Sequence, residues 1–502
     1  MVTSFAPDRR AFVDAYNAGK PQIVWASLVA DLETPVSAMM KLAGGQDHSF
    51  LLESVEGGAV RGRYSIIGTK PDLIWRSLGS SAEVNRSALI DKTAFEPMPQ
   101  PTLESLRSIL QESRIDLPKH LPPMAAGLFG FMTYDMVRQM EKLPEINPKT
   151  IDIPDAVFIR PSLMAIFDNI EDRVTIVTPV WQNDRTDADQ AFDLACERVN
   201  NAVADFDRGV VHIGPPIVHP PVEPHSNVSQ PTYHSMVERA KDYILAGDIF
   251  QVVPSQRFRV PFKLPAFSLY RALRRLNPSP FLFFLDLDGY ALVGSSPEIL
   301  VRLRDEQITI RPLAGTRRRG ASAEEDQRLA AEMLADPKEI AEHIMLLDLG
   351  RNDVGRVAEV GSVNVTSKMN VEYYSHVMHI VSNVEGRIRP EYDALDALIA
   401  GFPAGTVSGA PKIRAMEIIE ELESERRSFY AGTVGYFSAD GNMDTCIALR
   451  TALVKNGEMI VQAGGGVVAD SDPEAEYQES LNKAQALIRA AEEAIRTTRN
   501  YR

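Results

Sequence analysis

The chain has 502 residues, enough for roughly two to four domains of ordinary size, and 44% of them are apolar, so a large core is within reach. A formal net charge of −15 argues against a nucleic-acid or anionic-membrane binder, which carries a basic surface. Two cysteines, Cys196 and Cys446, cannot build a disulfide framework or a four-cysteine zinc site. No apolar run approaches the ~18–20 residues that span a bilayer. The opening "MVTSFAPDRRAFVDAY" lacks the apolar core of a signal peptide. These features predict a soluble, cytoplasmic protein with no membrane or nucleic-acid partner.

In chain order, residues 1–213 mix helical stretches with strand-like runs such as "RYSIIGTKPDLIWRS" and "LMAIFDNIEDRVTIVTPV". "GPPIVHPPVEPHSNVSQP", Gly214 to Pro231, is proline-rich and aperiodic, and reads as a linker between 1–213 and a second unit, 232–502. Pro231 to Ala246 reads as a helix, and "DIFQVVPSQRFRVPF" alternates as a strand. "YALVGSSPEILVRLRDEQITIRPLAGT" predicts strands joined by a charged turn, after which Arg317–Arg319 read as a solvated loop. "ADPKEIAEHIMLLDLGRND" predicts a helix capped by Asp336 and opened by Pro337, buried through Ile344–Leu347. Glu339 and Glu342 then share one face, with Glu342 near the interior. "GTVSGAPK", Gly405 to Lys412, lacks the Gly-Lys-Ser/Thr ending of a phosphate loop; it predicts a loop entering a helix, with Pro411 in the first turn and Lys412 free to meet an anion.

"FYAGTVGYFSADGNMDTCIALRTALVKNGEMIVQAGGG" predicts three strands with "DG" and "NG" hairpin turns. Gly464, Gly466 and Ala469 match a dinucleotide fingerprint, but "VVADSD" intervenes before a helix that starts only near Pro473. The glycines mark either a plain turn or a backbone that something approaches closely. On the following helix Glu476 and Glu479 again lie three apart. Two readings stand for the carboxylate pairs. Asp336 with Glu339 fits a capping box, and Glu479 with Lys483 fits a surface salt bridge. Alternatively they bind a metal, and all-oxygen ligands then favour Mg²⁺ (or Mn²⁺) over zinc. The pattern as a whole is α+β: helices with largely antiparallel sheet, and no regular βαβ alternation.

Ten blocks in order carry a resemblance: "GDIFQVVPSQRF", "NPSPFLFFL", "GSSPE", "RPLAGTRRRG", "EHIMLLDLGRND", "VMHIVS", "PAGTVSGAPKIRAMEII", "GYFSADGNMDTCIALRTA", "QAGGG" and "ESLNKA". Together they are similar to the chorismate-utilising enzymes, most closely the large-subunit family of the anthranilate synthases. "LLES" and "RYSIIG" resemble that family's regulatory segment. The resemblance implies a mixed α/β sandwich built on large antiparallel sheets, and a Mg²⁺-dependent conversion of chorismate and ammonia to anthranilate and pyruvate. It implies Glu298, His379 and Thr316 as catalytic residues, with Glu298 the acid for the departing hydroxyl. Gly315, Thr316, Tyr430, Arg450, Gly464, Gly465, Gly466 and Lys483 would bind chorismate. Glu342 and Glu479 would hold Mg²⁺, with Glu339 and Glu476 behind them. Glu53, Ser54, Pro280, Phe281 and Leu282 would bind L-tryptophan as feedback inhibitor.

Two positions sort the chain among similar enzymes. Relatives that make aminodeoxychorismate, the rival assignment, typically carry a nucleophilic lysine where "RPLAGT" has Ala314. Relatives that add water use a lysine base where "IFQVV" has Gln251, and glutamine cannot activate water. One departure is "NPSPFLFF", where the family more often has Tyr-Met after the proline, which bears on tryptophan binding. Neither cysteine fits a glutaminase elbow, and the chain ends soon after its last family block. The expectation is a separate glutamine amidotransferase subunit and a heterotetramer. A catalytically inactive sensor of chorismate or tryptophan is the competing class, disfavoured by Glu298, Glu342, His379, Arg450 and Glu479 being present.

Overall fold

The computed structural model describes residues 4–56, 60–182, 186–210, 220–374 and 377–500. Among these, antiparallel pairings link 21 strands into one sheet system, and Gln251–Val252 pairs with Gly409–Ala410 as a separate ribbon. This is the α+β architecture expected. Its strands alternate in register with the pleat. In the strand Phe281–Leu287, Leu282 and Phe284 join a cluster with Leu269, Leu273, Leu487 and Ala491 of the covering helices. Phe283, Leu285 and Leu287 face the other way, onto Phe50, Phe129, Phe131 and Ile159 of neighbouring strands. Both faces are therefore covered, which is why such strands read as unbroken apolar runs. No helix among the described residues is long and apolar enough to cross a membrane.

Hydrogen bonding runs across the anticipated boundary. The strand Ser49–Glu56 pairs with Phe281–Leu287, and Gly127–Met132 pairs with Thr433–Ser438. Residues 214–219 of the anticipated linker lie outside the described residues. From there His225–Ser226 adds a short pairing to Phe258–Arg259, and the helix Gln230–Leu245 begins inside the linker's last residues.

Several local expectations are corrected. The carboxy-terminal run holds four strands: Thr433–Ser438, Met443–Ile447, Thr451–Lys455 and Glu458–Gly464. The middle one breaks at Ala448–Arg450, where Arg450 takes a left-handed φ of +47°. The "NG" turn holds as read, with Asn456 and Gly457 both at positive φ, as a tight hairpin requires. Arg317–Arg319 are not a free loop: Arg317 and Arg318 end the strand Leu313–Arg318 and Arg319 follows it. They meet Glu339, Glu325 and Asp326, and only Arg318 stays largely exposed. Asp336 does cap the helix Pro337–Gly355, but it accepts from the Lys338 N–H, and Glu339 turns to Arg317 instead of closing a capping box. Ile344 is 41% exposed, because the helical step rotates it off the face that buries Leu346 and Leu347. Pro411 stands just before the helix Lys412–Leu422, and Lys412 is committed to buried Asp353 at 2.8 Å, so it is not free for an anion.

Candidate active site

A bulge organises the site. The strand Leu313–Arg318 pairs with Val377–Arg387, but the register steps from Ala314 opposite Ile380 to Thr316 opposite His379. Gly315 is the extra residue, with φ +67°, a conformation that glycine adopts without a Cβ penalty. Its displaced carbonyl accepts the Nδ1–H of His379 at 2.9 Å, and Thr316 Oγ1 lies 3.1 Å from the same nitrogen. With the proton held on Nδ1, the lone pair is on Nε2. Burial holds His379 down at about 4, so the imidazole is neutral at neutral pH and its Nε2 is open to accept a proton.

Glu298 joins the strands Tyr290–Ser296 and Ile299–Arg304. Burial pushes its carboxyl up to about 8, outweighing the Thr406 hydroxyl at 3.2 Å, the Leu313 N–H and the charge of Lys483. It is therefore protonated at neutral pH and able to donate. Arg450, in the strand break, is partly buried, and burial pulls its pKa down. Tyr374 offsets this, and no carboxylate among the described residues pairs with the guanidinium. An enclosed guanidinium without a counter-ion is a ready carboxylate site.

Two helices supply the carboxylates. Burial raises Glu342, the charges of Glu339 and Glu479 raise it further, and Gln251 Nε2 at 3.3 Å opposes the shift. On the helix Pro473–Asn500, burial raises Glu476, helped by the charge of Glu479 and opposed by the Ser471 hydroxyl at 2.7 Å. Glu476 Oε2 is buried without a hydrogen-bond partner among the described residues. Glu479 pairs with Lys483 at 2.7 Å, and the Lys483 ammonium also donates to Gly464 O at 2.9 Å. Among the described residues, no three His, Cys, Asp or Glu side chains converge as a closed metal cage. Mutual repulsion and an orphaned carboxylate oxygen nonetheless fit a cation that keeps water and substrate as ligands, as Mg²⁺ does.

The glycine loop is approached closely by the chain's own atoms. A Cβ on Gly464 would lie 2.2 Å from Pro254 O, one on Gly465 2.5 Å from Glu476 Oε2, and one on Gly466 2.3 Å from Gln251 Nε2. The Gly464 N–H faces the buried hydroxyl of Tyr430, whose pKa burial pushes up to about 12. Val467 then bridges to Val252 before the helix begins, so a dinucleotide turn is absent.

Four of the anticipated inhibitor residues come together on one strand pair. Strand pairing puts Ser54 opposite Phe281 and Glu53 opposite Leu282. With Pro280 they line a cavity of about 970 Å³ that extends to Glu298 and Tyr374. The Glu53 carboxylate is taken up by Arg274 and Tyr270 rather than facing open space. Sequence reasoning missed Thr406, which touches Glu298, and Tyr374, whose ring meets His379 edge-on at 5.4 Å. Thr406 stands in the "GTVSGAPK" segment, which reads only as a loop entering a helix, and it reaches Glu298 from the short helical turn Gly405–Val407. Tyr374 lies in no quoted block, and only the fold brings it to His379.

The chain is similar to known proteins over nearly all its length. The family of chorismate binding enzymes matches residues 70–489. Anthranilate synthase component 1 of Cereibacter sphaeroides is 56% identical, with 98% of each chain covered. The protein of that name from Aquifex aeolicus is 45% identical, over 93% of this chain and 94% of its own. Among solved structures, anthranilate synthase component I from Streptococcus pneumoniae superposes with a TM-score of 0.77 at 35% identity, covering 92% of this chain and 98% of its own. The menaquinone-specific isochorismate synthase of Escherichia coli, at 21% identity and TM-score 0.69 (95% and 99% covered), shares the fold.

Proposed function

Because the chain belongs to the chorismate-binding enzymes, among the anthranilate synthase component 1 proteins, we propose that it converts chorismate and ammonia to anthranilate, pyruvate and water. The observation that carries this reading is a buried acid protonated at neutral pH, Glu298, and a buried neutral imidazole, His379, each beside Tyr374, as is Arg450, whose guanidinium no carboxylate among the described residues pairs. Arg450 grips one carboxylate of the dianion through parallel hydrogen bonds. Ammonia adds to the ring, and Glu298 gives its proton to the departing hydroxyl, which leaves as water. His379 Nε2 takes the ring proton as the ring becomes aromatic; the C–O bond breaks with its electron pair on the enolpyruvyl oxygen, and the proton from His379 returns to that group's methylene carbon, giving pyruvate. The Gly315 carbonyl stabilises the imidazolium formed in between. Thr316 Oγ1, beside the same nitrogen, and Tyr430 with Gly464–Gly466 position the substrate.

Glu342 and Glu479, with Glu339 and Glu476 behind them, would hold Mg²⁺, which when bound neutralises the other substrate carboxylate and withdraws ring electrons. Ala314 offers no nucleophile for the aminodeoxychorismate route. Gln251, 3.3 Å from Glu342, is no base for water addition. The reading extends to a cytoplasmic lyase whose ammonia comes from a glutamine amidotransferase subunit in a heterotetramer. It also includes L-tryptophan as inhibitor in the cavity beside Ser54, Pro280, Phe281 and Leu282. Mass spectrometry of the products from chorismate, ammonium and Mg²⁺ tests the reaction. Anthranilate and pyruvate in equal amounts are expected; aminodeoxychorismate without pyruvate would move the chain to the rival activity.

A further inference from the structure

Tyr374 sits where four functional groups meet. Its ring packs edge-on against His379, with centroids 5.4 Å apart and planes at 66°. It is close enough to Arg450 and to Glu298 to interact electrostatically with both. Its hydroxyl donates to Glu372 Oε2 at 3.0 Å, and the other oxygen of Glu372 is bound by Arg311. Arg319 Nη1 donates to the Tyr374 carbonyl at 2.6 Å, and its own N–H pairs with Val377 O at 2.8 Å. Ring, hydroxyl and backbone are thus each held from a different direction. Arg311, Glu372, Tyr374 and Glu298 all line the 970 Å³ cavity that reaches Ser54 and Phe281. Glu298, Tyr374 and the groups that hold its hydroxyl are therefore part of that cavity's wall.

We propose that Tyr374 is a positioning residue for the reaction: its ring holds His379 against the Gly315 carbonyl and keeps water from it, and the Tyr374–Glu372–Arg311 chain fixes that ring. The proposal rests on His379 being the base of the proposed function. The charged and titratable groups that face His379 are Arg450, Glu372, Lys483 and Tyr374 itself. Burial is the largest influence on the imidazole. Opening its surroundings therefore moves it upward toward 6.5, and the neutral base is then lost at higher pH.

The experiment compares Tyr374→Phe, Tyr374→Leu, Glu372→Gln and His379→Ala with the unmodified chain, using chorismate, ammonium and Mg²⁺. Thermal midpoints are taken in parallel. Tyr374→Phe, which keeps the ring, should lower kcat about three- to tenfold with KM within about twofold, as loss of orientation does. Tyr374→Leu should also raise the acid limb of the kcat/KM profile by about one pH unit or more. Glu372→Gln, whose side chain is near the surface, should reproduce the kcat loss of Tyr374→Phe without touching the ring. A merely structural tyrosine lowers the thermal midpoint and the active fraction but leaves the acid limb in place; that result overturns the proposal. If His379→Ala keeps full activity, the assignment of the base falls, and the proposal with it. If His379→Ala is inactive while the Tyr374 and Glu372 variants match the parent, only the proposal falls.

Discussion

At the scale of single residues, the site depends on burial holding two groups uncharged at neutral pH. Glu298 is raised from 4.5 to about 8 and His379 lowered to about 4, both chiefly by burial. The kcat/KM profile, expressed per free ammonia, should therefore fall below about pH 4 and above about pH 8. Glu298→Gln should cost about 100-fold or more in kcat, since amide cannot replace an acid. The same shift has a stability consequence. A raised carboxyl keeps its proton in the folded chain, so stability is lost as pH rises from 4.5 to about 8. Denaturant titrations should accordingly find Glu298→Gln gaining on its parent across that window, by up to a few kcal/mol. Arg450→Lys should raise KM for chorismate about tenfold, because an ammonium cannot make the two parallel bonds. Most of these residues were legible in the sequence through their blocks. Tyr374 and Glu372 were not, since contact across a sheet depends on register, which "VEYYS" does not display; Thr406 lay inside a block, but its contact with Glu298 comes from a distant turn.

Among the elements, the bulged strand and the two acidic helices decide the geometry. Slipping the pairing by one residue at Gly315 sends its carbonyl to His379 instead of into the ladder. Gly315→Ala meets a left-handed φ and places a Cβ 3.0 Å from Glu339 Oε2. Calorimetry should record a loss of about 1–3 kcal/mol, and kcat should fall with it. The helices themselves were legible, down to Asp336, Pro337 and Pro473 at their starts. The capping box was not formed, because Arg317 competes for Glu339 from a strand distant in sequence. The fourth carboxy-terminal strand was hidden for a related reason. "CIALRTALV" has no turn dipeptide, yet the chain breaks at Arg450, where a non-glycine residue takes positive φ beside the site.

Over the whole molecule, the sheet couples segments that composition separates. The proline-rich stretch looked like a divider, yet strands on its two sides share hydrogen bonds at Ser54–Phe281 and Gly130–Gly435. Hydrogen-bonded pairing of this kind leaves no signature in either segment alone. Residues 220–502 expressed by themselves should aggregate through their opened strand edges, and co-expression with residues 1–213 should restore soluble, active protein. If the proposed inhibitor site is the cavity beside Ser54 and Phe281, whose lining reaches Glu298, tryptophan and chorismate should each weaken the other's binding, a reciprocity that calorimetric titration in the presence of Mg²⁺ checks. The most direct test of the account is the initial rate of anthranilate fluorescence from chorismate, ammonium and Mg²⁺, measured for the chain and for Glu298→Gln. The account predicts strong fluorescence from the first, abolished by EDTA, and about one-hundredth of that rate or less from the second. Chorismate consumed without fluorescence, or an undiminished rate in Glu298→Gln, would contradict it.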